Sequence, residues 1–478
     1  ICGGSCAYNA EPLADFVDMV YLGEGEVLYD EILDIYKEYK KAGKTRTEFL
    51  ERMLDIDGIY IPKFYDVEYN ADGTVKSITP NHPKARKVIK KVVVTDMDSV
   101  FYPEKQLVPL IEVVHDRVTL ELFRGCIRGC RFCQAGFIYR PVREKRYQTL
   151  LKQAESLVNT SGHEEISLIS LATSDYTCFP ELANGLLDEY KQKEISISLP
   201  SLRIDSFSLD LMQKIQEVRK SSLTFAAEAG TQRLRNVINK NLTEENILNG
   251  CKLAFDGGWT KVKMYFMLGL PTETDEDLEG IADLCDKIVE KYFEIPKEDR
   301  PRPVTVNASA SCFVPKPFTP FQWSPMCTKD EFLGRAKIVN ETIKSQLNKK
   351  SIRYNWHEAD VTMIEGILAR GDRRLCNALI RVYEKGGIFA AWSEFFDDQI
   401  WQDAFAEEQI DTDFYTTRVR QEDEIFPWDF IDAGVTKQFL LREWKAANEE
   451  TVTPNCRQKC SGCGAMKYKG GVCYENQN

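Results

Sequence analysis

The sequence predicts an α/β fold: an open, partial (β/α)6 barrel of the TIM-like kind. An N-terminal remnant and a connector precede it, and a mostly helical C-terminal extension follows, ending in a Cys-rich tail. Three observations carry this. Between Arg117 and Cys312, short runs rich in β-branched and aromatic residues alternate six times with helical patterns. Such repeats imply a parallel sheet with right-handed crossovers, and six units are too few for the usual closed eight-stranded barrel. A three-cysteine loop follows the first of these strands, at the end where barrels of this kind carry their chemistry.

In order, strands are expected at 117–124, 165–173, 195–199, 222–228, 261–269 and 304–312, and helices at 147–160, 180–193, 208–219, 231–238, 243–257 and 273–293. Thr243 before Glu244 and Glu245, and Thr272 before Asp275 and Glu276, set a cap and acids at two helix starts. Residues 1–50 open on a Gly/Cys turn and run into a helical stretch at 26–42. Residues 51–116, with a turn at Asn70–Gly73 and the basic run HPKARKVIKK (82–91), read as a connector. The barrel takes 117–325 and closes on a four-proline segment, 313–325, expected to be extended and rigid. Residues 326–450 read as mostly helical, and 451–478 as a Cys- and Gly-rich tail too short to hold a core without a metal.

With 478 residues, 43% hydrophobic and 28% charged, the chain is globular and long enough for more than one domain. No apolar run approaches the ~20 residues of a membrane helix, so no membrane partner is expected, and with no signal pattern the cytoplasm is the expected compartment. The first residue is Ile rather than Met, so an N-terminus trimmed from a longer protein is expected. A net charge of −12 argues against a general nucleic-acid coat protein. The charge is uneven: residues 394–432 carry thirteen acidic side chains against two basic, whereas 121–150 carry seven basic against two acidic.

Fifteen cysteines, an odd number in a long chain without a signal peptide, fit a disulfide framework poorly. Their spacing is more informative. Cys126, Cys130 and Cys133 form C-x3-C-x2-C; Cys456, Cys460 and Cys463 repeat it, and Cys473 follows ten residues later. Close thiolate triplets are metal ligands, and only four histidines compete. Three thiolates on the barrel loop can hold three irons of a 4Fe–4S cube and leave the fourth open. In the tail, Cys473 as a fourth ligand would close a structural site for zinc or a second 4Fe–4S cluster; without it, one iron stays open.

The loop RGCIRGCRFCQAGFIYRP, with Phe132 before its last cysteine, resembles the motif of the radical S-adenosylmethionine (SAM) superfamily. The resemblance implies a SAM-binding 4Fe–4S cluster whose open iron chelates the SAM amine and carboxylate. One electron, from a flavodoxin or ferredoxin donor, then yields a 5′-deoxyadenosyl radical. It also implies SAM contacts at successive strand ends: Ser174 and Asp175 in LATSDY, Ser198 and Arg203, Glu228 toward the ribose, and the backbone of Leu268 and Gly269 in MLGLPTET toward adenine.

Longer stretches, among them LELFRGCIRGCRFCQAGFIYRPVRE, KMYFMLGLPTETDEDL, FVPKPFTPFQW, EGILARGDRRL and PWDFIDAGVTKQFL, resemble an uncharacterised family in the cobalamin-binding-domain subgroup. This implies that 1–50 is the C-terminal edge of a cobalamin-binding-like Rossmann domain, that the reaction is C–H activation with methyl transfer through cobalamin, and that a radical-SAM-linked module is a partner. The subgroup's D-x-H-x-x-G cobalt-ligand loop is absent from this sequence and is expected before Ile1. The core also resembles methylthiotransferases, whose second three-cysteine cluster is N-terminal rather than C-terminal. Three functions therefore stay open: methyl transfer, methylthio transfer with the tail cluster as sulfur donor, and a non-catalytic Fe–S module that binds RNA or the ribosome. Arg124, Arg128, Arg131, Arg140, Arg143, Lys145 and Arg146 crowd the cysteine loop. They form either an electropositive mouth for an anionic substrate such as RNA, or internal support for an anionic cluster and the SAM carboxylate.

Overall fold

Along Lys261–Leu268 every second side chain is apolar and buried, and the residues between are Lys, Lys, Tyr and Met, as in a strand covered by helices on one face only. In the computed structural model, which describes residues 1–111, 113–200, 203–206, 209, 214, 223–469 and 471–472, this is the fifth of seven parallel strands. They are β1 (Val118–Glu121), β2 (Glu165–Ile169), β3 (Ser196–Ser198), β4 (Leu223–Glu228), β5 (Lys261–Leu268), β6 (Thr305–Cys312) and β7 (Ile352–Trp356). The ladders run β3-β2-β1 and β4-β5-β6-β7. Among the described residues no ladder joins β3 to β4, and the barrel is open, as the alternation predicts.

The sheet goes one strand further than the sequence suggested. Ile352–Trp356, inside the stretch read as helical, pairs in parallel with β6 after a crossover through the helix Lys329–Ser345. Apolar residues on the outward faces of the strands, such as Leu120, Leu168, Phe225, Met264, Phe266 and Val306, are buried in one core with helices Tyr147–Ser161, Phe179–Tyr190, Glu244–Asp256 and Asp275–Phe293. Thr243 caps its helix as expected. The cap of Asp275–Phe293 is Thr274, not Thr272. Thr272 adopts φ 64°, and the reciprocal bonds run between Thr274 and Asp277.

A second core lies beside the barrel and joins both ends of the chain. Val20–Tyr21 pairs antiparallel with Ile59–Tyr60, and Ile89–Lys90 pairs in parallel with Ile431–Asp432. Tyr60, Trp323, Phe426, Trp428 and Phe439 fill its interior. The segments divided at residue 50 in the sequence thus share one body with 426–465. The proline segment is buried rather than free-standing: Gln322 Oε1 accepts bonds from Phe318 N–H and Trp428 Nε1–H, both at 3.0 Å. Among the described residues no helix is long and apolar enough to cross a membrane.

Arg131, inside the first cysteine triplet, ties these parts together. Its side chain has no exposed surface; it pairs with Glu443 at 3.2 Å and donates to the carbonyls of Val237 (2.9 Å) and Thr451 (2.7 Å). Glu443→Ala leaves a buried guanidinium without its counter-charge. The expected cost is about 3–5 kcal/mol, read as a lower denaturant midpoint, and Glu443→Gln, which keeps the hydrogen-bonding shape, should cost less.

Candidate active site

The cysteine loop leaves β1 through a short hairpin, Phe123–Arg124 against Arg143–Glu144. Gly125 makes the turn at φ 88°, where a Cβ would lie 2.7 Å from the Pro141 carbonyl; no other residue fits that approach. The loop is pinned to the β4 unit by Arg131 N–H donating to the Ile238 carbonyl (2.9 Å) and Asn239 Nδ2 donating to the Gly129 carbonyl (3.0 Å).

The three thiols gather within electrostatic reach of one another. Burial, then the neighbouring Cys130, pushes Cys126 up to about 12 and Cys133 up to about 11. Groups held this way give up their protons to a metal rather than to water. The Arg128 N–H points at the Cys126 sulfur at 3.4 Å, the Gly136 N–H points at Cys133, and Lys240 lies nearby. This donor set of thiols, amide N–H groups and a cation fits an anionic iron–sulfur cluster. Among the described residues no three Cys, His, Asp or Glu side chains close around a single ion; a cube holds each thiolate at its own corner and so spaces its ligands more widely.

Several of the residues expected to contact SAM lie near this loop, and Asp175, Arg203 and Glu228 each have a charged partner. Asp175 is held by Arg128, through Nε at 2.9 Å and a second, shorter contact from Nη2. Arg203 pairs with Asp205 at 2.9 Å. Glu228 ends β4 at φ 66°, just after a register shift against β5, and binds Lys240 at 2.9 Å; Lys240 in turn sits 6.0 Å from the Phe132 ring centre. Ser174 Oγ is buried with no partner, a polar atom left for a ligand. Ser198 is half-buried at the end of β3, beside Ser167.

Leu268 and Gly269 are not brought to the site in the way expected. The Leu268 side chain faces the helices and its carbonyl accepts the Phe313 N–H at 2.8 Å. The Gly269 N–H donates to Glu273 Oε1 at 2.8 Å. Strand alternation puts Met267, not Leu268, on the inner face. Cys473 lies outside the described residues. Sequence reasoning missed Lys240 and Asn239, whose only signal is their place after the helix Gln232–Val237, at the same end as Glu228.

Six of the seven basic residues around the loop are engaged internally, and Arg146 makes a surface pair. Arg124 binds Glu121 and Glu26, Arg128 binds Asp175, Arg131 binds Glu443, Arg143 binds Glu24, and Arg146 binds Asp98. Lys145 lies over the Tyr102 ring at 4.0 Å, and Arg140 is buried between Phe137 and Phe439. They hold the loop together.

Residues 120–285 match the family model described as the radical SAM superfamily, and residues 1–62 match a model described as radical SAM proteins, N-terminal. The protein MJ0966 of Methanocaldococcus jannaschii, named as uncharacterized, is 32% identical over 380 residues, 79% of this chain and 72% of that one. This chain belongs to the radical SAM superfamily. A protein of Pyrococcus horikoshii named as an uncharacterized methyltransferase is 22% identical over 58% of this chain and 54% of its own length. A tRNA-2-methylthio-N(6)-dimethylallyladenosine synthase of Hydrogenobaculum is 26% identical over 38% of this chain and 43% of its own. The chain therefore spans about half the length, or less, of the last two.

As a radical SAM enzyme the protein has a lumen unlike that of a closed barrel. In a closed barrel the inner strand faces interdigitate as bulky apolar layers. Here the inner faces are polar: Thr224, Lys263, Asn307 and Arg353 share one row across β4–β7, and Ala226, Tyr265, Ser309 and Asn355 the next. Tyr265 is 37% exposed, and Lys263 Nζ lies 4.6 Å from its ring centre. Among the described residues neither Lys263 nor Arg353 forms an ion pair. For cobalamin the described residues offer no ligand set. The D-x-H-x-x-G loop is absent from this sequence, and of its four histidines His163 pairs with Asp116 and His82 lies against Phe64. No step is routed through that cofactor.

Glu273, 2% exposed and bound by Arg335 at 3.1 Å, fixes the turn after β5. Burial raises its carboxyl to about 7. Its folded value lies above its unfolded one, so the stability it adds is complete below the ordinary carboxylate range and is lost as pH rises through about 7. Glu273→Gln should therefore gain on the wild type as pH rises from about 5 to about 8; parallel denaturant midpoints for the two proteins would show whether the gap moves that way.

Proposed function

We propose that this enzyme cleaves SAM reductively at a cluster held by Cys126, Cys130 and Cys133. The 5′-deoxyadenosyl radical takes a hydrogen from a C–H carbon of a substrate seated in the polar lumen and leaves as 5′-deoxyadenosine, and a second SAM supplies the methyl group that replaces it. The carrying observation is the cysteine loop itself, open toward that lumen at the C-terminal ends of the strands. When bound, the cluster supplies the electron that splits the C–S bond of SAM. The chain's own residues position the reactants. Arg128 and Lys240 spread positive charge at the loop and orient Asp175 and Glu228, and the unpartnered Ser174 hydroxyl is free to bond the methionine end of SAM.

The substrate end is read by the Lys263–Asn307–Arg353 row. Lys263 and Arg353 lie two strands apart, about 10 Å, with an amide between them. The row lies four residues, about 13 Å, below Met267 at the strand tops. That spacing suits a substrate with an anionic group at one end and its reacting carbon roughly that far away. A nucleotide unit of RNA, entered singly after leaving its stack, meets the description, and the relatives include an enzyme named for a tRNA product.

A second reading, methylthio transfer, is favoured by one observation: the tail cysteines pack against the first cluster loop, with Cys456 N–H donating to the Ile127 carbonyl at 3.0 Å. Products separate the two readings, since methyl transfer adds CH2 to the substrate and methylthio transfer adds CH2S.

Two results are expected. Protein prepared without air and reduced with dithionite should convert SAM to 5′-deoxyadenosine, and Cys130→Ala should abolish this; turnover in that variant would sink the assignment. Lys263→Met and Arg353→Met should keep this substrate-free cleavage but lose mass gain on nucleosides recovered from added RNA. Unchanged product formation in both variants would remove the anion-binding role of the row.

A further inference from the structure

Residues 451–472 do not trail from the molecule; they lie across the first cysteine loop. Arg457 Nη2 donates to Glu144 (2.7 Å), to the Asp175 carbonyl and to Thr177 Oγ (both 2.8 Å). Thr436 N–H donates to the Cys463 carbonyl at 3.0 Å, and Val472 N–H to the Val142 carbonyl at 3.1 Å. Cys456 and Cys463 are only 7% and 6% exposed.

Between the two triplets lies Arg140, 3% exposed. Its Nε donates to the Gly136 carbonyl (3.0 Å) and its Nη2 to the Arg128 carbonyl (2.8 Å). Its Nη1 is buried with no oxygen or nitrogen partner, and the guanidinium faces Cys463, Cys456 and Cys126. A guanidinium stays charged in a protein, and burying that charge without a counter-ion costs several kcal/mol. The neighbouring buried arginines have theirs: Arg131 has Glu443 and Arg143 has Glu24. Around Arg140 the available negative groups are thiolates, and a buried thiol becomes a stable thiolate when a metal takes its proton's place.

We propose that Cys456, Cys460 and Cys463 hold a second iron–sulfur cube beside the first, with Arg140 as the counter-cation shared by both. With the cube bound, the Arg140 guanidinium beside Cys463 would donate to its thiolate or to a cluster sulfur. This deepens the proposed reaction but does not depend on it, because the counter-charge argument holds whatever the enzyme's substrate.

The test is iron and zinc counted in full-length protein reconstituted without air. About eight irons per chain are expected, two cubes of four. The variant lacking Cys126, Cys130 and Cys133 should retain about four, with the electron paramagnetic resonance signal of a reduced cube. Wild-type protein with about four irons and no metal in that variant overturns the tail cube and leaves SAM cleavage intact. Four irons with one zinc also overturns it, replacing the cube with a structural ion. Should the triple variant fold poorly, Arg140→Met decides: both clusters' midpoint potentials should shift more negative, with Arg140→Lys restoring part of the shift. An Arg140→Met protein with unmoved potentials and eight irons overturns Arg140's role.

Discussion

A buried positive charge governs the catalytic end of this molecule. Arg131 is enclosed completely, and its guanidinium can exist there only because the helix Lys437–Asn448 brings Glu443, and the segment after it brings the Thr451 carbonyl. The cysteine loop is too short to have a core of its own, so its shape is set by what its arginines must find. Arg131 pulls in the C-terminal helix, Arg143 pulls in Glu24 from the N-terminal segment, and Arg128 pulls in the turn after β2. Pairs like these contribute little net stability, since desolvation offsets attraction, but they tolerate few alternative arrangements. They specify the loop more than they strengthen it.

The strands of the barrel were legible because one face of each must be apolar, and β5 and β6 advertise this over eight residues each. The cysteine loop was legible because thiolate spacing is set by chemistry, whatever the fold. β7 was not: Ile352–Trp356 is short, mostly exposed and carries Arg and Asn, so nothing local separates it from a loop. Thr272 and Thr274 are equivalent by composition, and only the left-handed turn at Thr272 decides which one caps. At the end of β5 the expectation was of backbone groups, and those are bonded within the fold, the Leu268 carbonyl to Phe313 and the Gly269 N–H to Glu273. The docking of the tail could not be read, because Cys456 meets Ile127 across more than three hundred residues of chain.

The bases around the cysteines show how composition can mislead. Seven positive side chains in thirty residues look like a surface for nucleic acid, yet six of them have an internal carboxylate, carbonyl or ring and only Arg146 pairs at the surface. The less conspicuous positive charge lies in the lumen, on two residues ninety positions apart that sheet register brings into one row.

That lumen has a consequence for how the protein can change over time. The apolar contacts that hold the barrel are made on the outward faces of its strands, so inward-facing positions such as Asn307 and Asn355 contribute little to the packing that keeps the chain folded. Most single substitutions in a packed interior are lost to destabilisation before they can be selected for anything else. Here that penalty is largely lifted from the residues that meet the substrate. The same scaffold can pass through many specificities without passing through an unfolded intermediate in sequence space.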